Sequence, residues 1–128
     1  MKYLLDTHTL IWASYHFELL SPQVSSILSL DGSVVYVSAV SAWEMATKNR
    51  LGKLPGIELF LAQFEERVLG AGLLLLDISV QHSLLAGKLE YPHKDPFDRM
   101  LAAQALLDEL TLLSKYKALD GFGVKRVW

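Results

Sequence analysis

The chain contains no cysteine in its 128 residues. That absence removes disulfide frameworks, zinc–thiolate centres and thiol nucleophiles from consideration. Long apolar runs are missing too: stretches such as Leu73–Leu76 are far too short to cross a bilayer. The opening Met-Lys-Tyr-Leu-Leu-Asp lacks the apolar core of a secretory signal. The expected setting is therefore the cytoplasm, with no membrane association. Nor is there an excess of basic charge. Twelve Lys and Arg stand against 14 Asp and Glu, for a net charge of −2. That is not the balance of a protein that grips nucleic acid through a broad basic surface. Repeats, low-complexity tracts and linkers are absent as well. Residues 1–128 read as one domain, long enough to bury a core without staples.

Turn signals fall at Asp31-Gly32, Leu54-Pro55-Gly56, Gly70-Ala71-Gly72, Tyr91-Pro92 and Asp120-Gly121. Between them, short apolar runs alternate with longer helical patterns. Strands are expected at 2–5, 34–37 and 73–76, with weaker ones at 111–113 and 124–127. Helices are expected at 8–16, 22–30, 39–51, 57–70, 79–89 and 97–109. The second has Ser21 as N-cap and Pro22 at its first position. This alternation predicts an α/β fold, a parallel sheet covered by helices on both faces. In open parallel sheets the ligand crevice lies outside the carboxyl ends of the strands. Asp6, Ser38, Asp77 and Ser114 stand at those ends.

Each acidic residue near this crevice also has a plain structural reading. Asp6 closes a strand and suits the N-cap of the next helix. Glu44, in Ser41-Ala42-Trp43-Glu44-Met45, suits an i,i+4 pair with Lys48. In His93-Lys94-Asp95-Pro96-Phe97-Asp98-Arg99, Asp95 suits an N-cap, Pro96 the first helical position and Asp98 the positive end of the helix dipole. Asp98 shares a stripe with Ala102 and Ala105, which leave room around its carboxylate. Taken together, the acids can converge on one crevice. Gathered carboxylates raise one another's pKa, and a divalent cation removes that penalty. Oxygen-only ligands favour Mg²⁺ or Mn²⁺ over zinc, and Mg²⁺ takes only one or two carboxylates directly.

Three segments carry a resemblance to a known family. They are Leu4-Leu5-Asp6-Thr7-His8-Thr9-Leu10-Ile11-Trp12, Val37-Ser38-Ala39-Val40-Ser41-Ala42-Trp43-Glu44, and Asp95-Pro96-Phe97-Asp98-Arg99-Met100-Leu101-Ala102-Ala103-Gln104-Ala105. In this order the chain resembles the PIN-domain family, and within it the VapC-type toxin ribonucleases of the Asp-Pro-Phe-Asp-Arg branch. The resemblance implies a three-layer α/β/α sandwich and Mg²⁺- or Mn²⁺-dependent cleavage of RNA. It also implies pairing with a small antitoxin protein and homodimers. The family's acids fall on Asp6, Glu44 and Asp98, with Asp95 as an extra acid. Many relatives carry a fourth acid after the fourth strand, where this chain has Ser114-Lys115-Tyr116. Asp95, or more remotely Asp120, is the candidate substitute, the alternative being a more weakly bound metal. His8 stands where many relatives have Asn and reads as a turn residue, the alternative being a neighbour of the metal shell.

On this reading Asp6 and Asp98 contact the metal directly. Asp95 and Glu44 act through water, and one of them helps remove a proton. Thr7 and Ser38 would line the site, although Ser38 also suits a helix N-cap. Ser38, Lys48, Arg99 and Lys115 are the candidate substrate contacts, with Arg99 alternatively neutralising Asp95 and Asp98. Two rivals remain. A receiver-like phosphoacceptor would use Asp77, but Asp6 is followed by Thr7 where that module needs a second acid, and too little chain follows Asp77. A catalytically weak binding module would offer apolar groups such as Trp12, Tyr15, Phe17, Phe60 and Phe64 to a partner. Setting aside the four site acids leaves 10 acids against 12 bases, so the net acidity is compatible with a nucleic-acid substrate.

Overall fold

Short apolar segments form five strands in the computed structural model, which describes residues 1–128. They are β1 (Lys2–Leu5), β2 (Val34–Ser38), β3 (Leu74–Leu76), β4 (Thr111–Leu113) and β5 (Arg126–Val127). All pair in parallel, in the order β3-β2-β1-β4-β5. The register sets Leu4 between Tyr36 and Leu112, and Leu5 between Val37 and Leu113. Alternate residues point to opposite faces, and Leu4, Leu5, Leu112 and Leu113 are all fully buried. Burial on both faces is why these strands read as continuous apolar runs rather than alternating ones.

Seven helices cover the sheet: α1 (Thr7–Tyr15), α2 (Pro22–Ser29), α3 (Ala39–Arg50), α4 (Glu58–Ala62), α5 (Phe64–Gly70), α6 (Val80–Lys88) and α7 (Pro96–Leu107). On one face Leu10, Val24, Met45, Phe60 and Val68, from α1 to α5, pack with Leu5, Val37 and Leu113. On the other, Leu101, Ala102 and Ala105 of α7 pack with Leu4, Leu112, Leu119 and Phe122, and α6 lies against α7. The result is the α/β/α sandwich that the alternation predicted. The chain builds outward from β1 through β2 to β3, then returns to place β4 on the other side of β1. The order reverses there, so the crevice beyond β1 and β4 is the expected ligand position.

The expected elements agree with the observed ones to within a residue or two, with three exceptions. The helix expected at 57–70 is broken at Gln63 (φ −119°, ψ 28°) into α4 and α5. The break lets Phe60 and Val68 enter the same core, with the Phe60 and Phe64 rings edge to face at 5.4 Å. Residues Lys117–Phe122 form a 3₁₀ turn that ends at Gly123 in the left-handed region (φ 83°). That turn consumes chain, so β5 is two residues rather than the four expected at 124–127.

Candidate active site

Helix capping brings the acids to the crevice. Asp6 follows β1 and caps α1: its Oδ1 accepts from the Thr9 backbone N–H at 2.8 Å and from Thr9 Oγ1 at 2.6 Å. Asp95 caps α7, its Oδ1 accepting from the N–H groups of Phe97 (2.9 Å) and Asp98 (3.2 Å). Asp98, in the first turn of α7, holds His93 Nε2 at 2.8 Å through Oδ2. Glu44 projects from α3 and is only 3 % exposed. Its Oε2 accepts from the Lys48 ammonium one turn later. Each acid is therefore fixed through one oxygen. The other oxygen of Glu44, Oε1, is buried with no hydrogen-bond partner. Asp6, Glu44, Asp95 and Asp98 line one cavity of about 190 Å³ together with Thr7, His8, Lys48 and Tyr116.

The electrostatics follow from gathering anions in a half-dry bay. Burial raises the Asp6 carboxyl above its ordinary pKa, against the opposing pull of Ser114 and Thr9. Burial also raises Asp98; His93 opposes that shift, while Asp95 and Glu44 add to it. Burial works against the charged form of Lys48, but the hydrogen bond and charge of Glu44, helped by Asp95 and Asp98, outweigh it and raise its pKa. The Tyr116 phenol is raised by burial and then by the charges of Asp6 and Asp98. Lys48 is the one fixed cation lining the cavity.

Would these residues suit a divalent cation? The donors are carboxylate oxygens, the set preferred by Mg²⁺ and Mn²⁺. The partnerless Glu44 Oε1 and the raised Asp6 and Asp98 carboxyls all mark uncompensated negative charge. No three acidic or histidine side chains close around a single point. A cation that keeps most of its waters needs no such cage. The residues fit.

The candidate substrate contacts separate. Lys48 lines the cavity. Ser38 does not: it is fully buried, and its Oγ caps α3 by accepting from Val40 N–H at 3.0 Å. Arg99 is also diverted. One residue past Asp98 the helix has turned by about 100°, and the guanidinium donates to the carbonyls of Ala86 (2.9 Å), Tyr91 (2.8 Å), His93 (3.0 Å) and Leu89. It neither neutralises Asp95 and Asp98 nor faces the cavity. Lys115 lies outside, with its ammonium 5.8 Å from the Trp12 ring centroid. Asp120, the remoter stand-in for a fourth acid, is paired with Arg126 (2.7 and 3.1 Å) away from the cavity. Asp77 is exposed beyond the edge strand β3 and does not join the acids, which removes the receiver-like reading.

Three further residues join the site, and two of them, Tyr116 and His93, have no site role expected from sequence. Tyr116 lines the cavity, its ring edge-on to His8 at 5.2 Å. His8 is thus a lining residue and not only a turn residue. His93 stacks on Tyr91 and reaches Asp98 from a loop. It stands five residues before Asp98, and no helical period relates the two. Its place in His93-Lys94-Asp95 was the only available signal.

The PIN domain family model matches residues 3–120. No curated protein matches the chain in sequence. Solved structures do match in fold. VapBC2 from Rickettsia felis, bound to a DNA fragment of its promoter, superposes with a TM-score of 0.75 at 16 % identity, covering 100 % of this chain and 99 % of that one. FitAB bound to an IR36 DNA fragment gives 0.71 at 20 % identity, covering 98 % and 93 %. FitAcB from Neisseria gonorrhoeae gives 0.64 at 18 % identity, covering 98 % and 96 %.

Proposed function

Because the chain belongs to the PIN domain family, we propose that it is a metal-dependent endoribonuclease, the VapC-type toxin of a toxin–antitoxin pair. The observation that carries this reading is the cavity in which Asp6, Glu44, Asp95 and Asp98 meet, with a buried glutamate oxygen left without a partner. Asp6 and Asp98 would hold Mg²⁺ or Mn²⁺ directly, and Asp95 and Glu44 would hold it through water. When bound, the cation supplies positive charge against the phosphate oxygens and makes a nearby water more acidic.

The chain's own groups do the rest. Glu44 Oε1 is a free acceptor that can orient a water and take its proton. Asp95 Oδ1 is committed to the α7 cap, so only its second oxygen can serve that purpose. Lys48 brings a cation within reach of a phosphate entering the cavity. The raised Tyr116 phenol stays protonated at neutral pH and can donate to a phosphate oxygen where an acid would repel it. Thr7 is held by Ser41 Oγ at 3.0 Å and keeps the α1 end of the cavity polar.

Fold likeness to VapBC2 and FitAB supports pairing with a small antitoxin protein. Exposed apolar groups such as Phe17 and Leu19 suit a partner segment. A second copy of the chain, forming a homodimer, belongs to the same proposal. No helix is long and apolar enough to cross a membrane. The test uses purified protein, free of partner, with RNA in Mg²⁺, in Mn²⁺ and in EDTA. Cleavage is expected in the first two only, and is lost in Asp6→Asn and Asp98→Asn. Cleavage that persists in EDTA or in Asp6→Asn overturns the mechanism.

A further inference from the structure

A second feature adjoins the acidic cavity. Tyr116, on its rim, is 42 % exposed. Its ring contacts His8 (centroids 5.2 Å apart), His8 contacts Trp12 (6.0 Å), and Trp12 contacts Trp128 (5.7 Å). The four rings meet edge to face in a continuous ledge leading out of the cavity, exposed at Tyr116 and half-buried at His8, Trp12 and Trp128, where the two indoles also pack on the core. Beyond them lies a separate open cavity of about 560 Å³ that Trp128 shares with Lys115 and Lys117. Lys115 also stands over the Trp12 ring. Both lysines are exposed and neither forms an ion pair. Arg126 lines the same hollow, but its charge is matched by Asp120.

We infer that this ledge and its two lysines form a binding subsite for single-stranded RNA, holding the nucleotides on one side of the scissile phosphate. The inference rests on the nuclease reading above and adds a place and a strand state to it. Aromatic faces beside unpaired cations are what a single strand needs: bases stack without sequence readout and the backbone meets positive charge. A duplex offers phosphates but no free base faces, because its bases are already stacked on one another. The occupant is fixed by charge. An acidic cavity that repels polyanions is neighboured across the ledge by a hollow carrying free lysines, so a polyanion is held outside with one phosphate leading inward. The net charge of −2 hides this segregation.

The test is fluorescence anisotropy in EDTA, so that cleavage does not intervene, with a labelled 12-nucleotide oligouridylate and a matched RNA duplex. The wild-type chain should prefer the single strand. Lys115→Glu/Lys117→Glu, both on the surface, should melt like wild type and bind about tenfold more weakly, with the salt slope reduced by about 1.4 for two lost phosphate contacts. Tyr116→Ala should weaken binding by about tenfold, while Tyr116→Phe, which keeps the ring but not the phenol donor, should recover most of that loss. In Trp43→Phe only Trp12 and Trp128 remain as indoles, and their emission should be quenched by oligouridylate.

Wild-type affinity in both the lysine and Tyr116→Ala variants, or equal affinity for duplex, overturns the ledge. If RNA cleavage in Mg²⁺ persists alongside those results, the ledge fails and the nuclease reading stands. If cleavage is absent while ledge binding behaves as described, the nuclease reading fails and the ledge stands. A protein occupant would appear as a lysine variant that loses a co-expressed partner yet keeps its RNA affinity, and that result also overturns the RNA assignment.

Discussion

Replacing Arg99 separates a structural role from a substrate role. Its guanidinium donates to four backbone carbonyls, those of Ala86, Leu89, Tyr91 and His93, and lies 5.9 Å from the Phe122 ring centroid. These carbonyls span the end of α6 and the loop that carries His93 toward Asp98. Hydrogen bonds to a charged group each contribute about 1.5–3 kcal/mol. The segment borders solvent at Gly87, Lys88 and Pro92, so water replaces part of that loss. Arg99→Ala should therefore cost about 3–4 kcal/mol in all, at the upper end for single substitutions. At about 4 °C per kcal/mol for a chain of this size, the melting temperature should fall by about 12–16 °C. Arg99→Lys keeps the charge but not the planar fork, and should recover less than half. Thermal melts by circular dichroism read both values. Hydrogen exchange should locate the loosening in residues 86–93. If Arg99→Ala instead melts within about 3 °C of wild type while KM for RNA rises, Arg99 is a phosphate contact and the clamp argument is wrong.

Three other outcomes follow from the site. His93→Ala removes the hydrogen bond that orients Asp98 and should weaken Mn²⁺ affinity by about 10–100-fold in calorimetry, with His93→Gln recovering part of it; unchanged affinity in His93→Ala refutes the positioning role. For pH, the folded-state pKa of Asp6 and Asp98 is raised chiefly by burial. The stability linked to them is fully present below the unfolded carboxylate value and is lost as pH rises through the raised values. Glu58 and Asp120 are lowered and run the other way, but they sit on the surface, where screening weakens them. The metal-free chain should therefore melt higher at mildly acidic than at neutral pH, and Asp98→Asn or added Mg²⁺ should flatten the dependence. A profile that rises toward neutral pH in EDTA contradicts this. Finally, a Cβ on Gly121 would stand 2.2 Å from the Tyr91 ring, whose hydroxyl donates to the Ala118 carbonyl at 2.9 Å. Gly121→Ala should cost about 1–3 kcal/mol in urea unfolding, and a neutral result would mean the ring relocates freely.

Local rules carried much of the reading. Asp6, Ser21, Ser38 and Asp95 each cap the helix that their sequence context predicted. Capping depends on the next three residues and is visible in sequence. The continuous apolar runs at 2–5 and 111–113 gave the central strands because both sheet faces are covered. Charge roles were legible only as residue types. Lys48 and Arg99 looked alike as candidate phosphate ligands, yet one lines the cavity and the other is consumed by carbonyls. That choice depends on where the 86–93 loop passes, which no local period encodes. Ser38 shows the same limit: its hydroxyl can cap or line, and burial decides for the cap.

What the sequence settled by itself was the chemistry available. It has no thiol, it has acids at strand ends and first turns, and it has an alternation that closes into a parallel sheet. These are consequences of residue type and spacing over a few neighbours. Tertiary structure decided the company each group keeps. His93 reaches Asp98, Tyr116 enters the acid cavity, and Lys115 and Lys117 join Trp12 and Trp128 across the ends of β1, β4 and β5. The approach of His93 to Asp98 comes from the path of the loop before α7, whereas the pairings of Tyr116 with His8 and of Lys115 with Trp12 come from the reversal of strand order at β1. That reversal brings segments more than a hundred residues apart into contact, and contacts of that range are fixed by packing of the whole sheet, not by any local pattern.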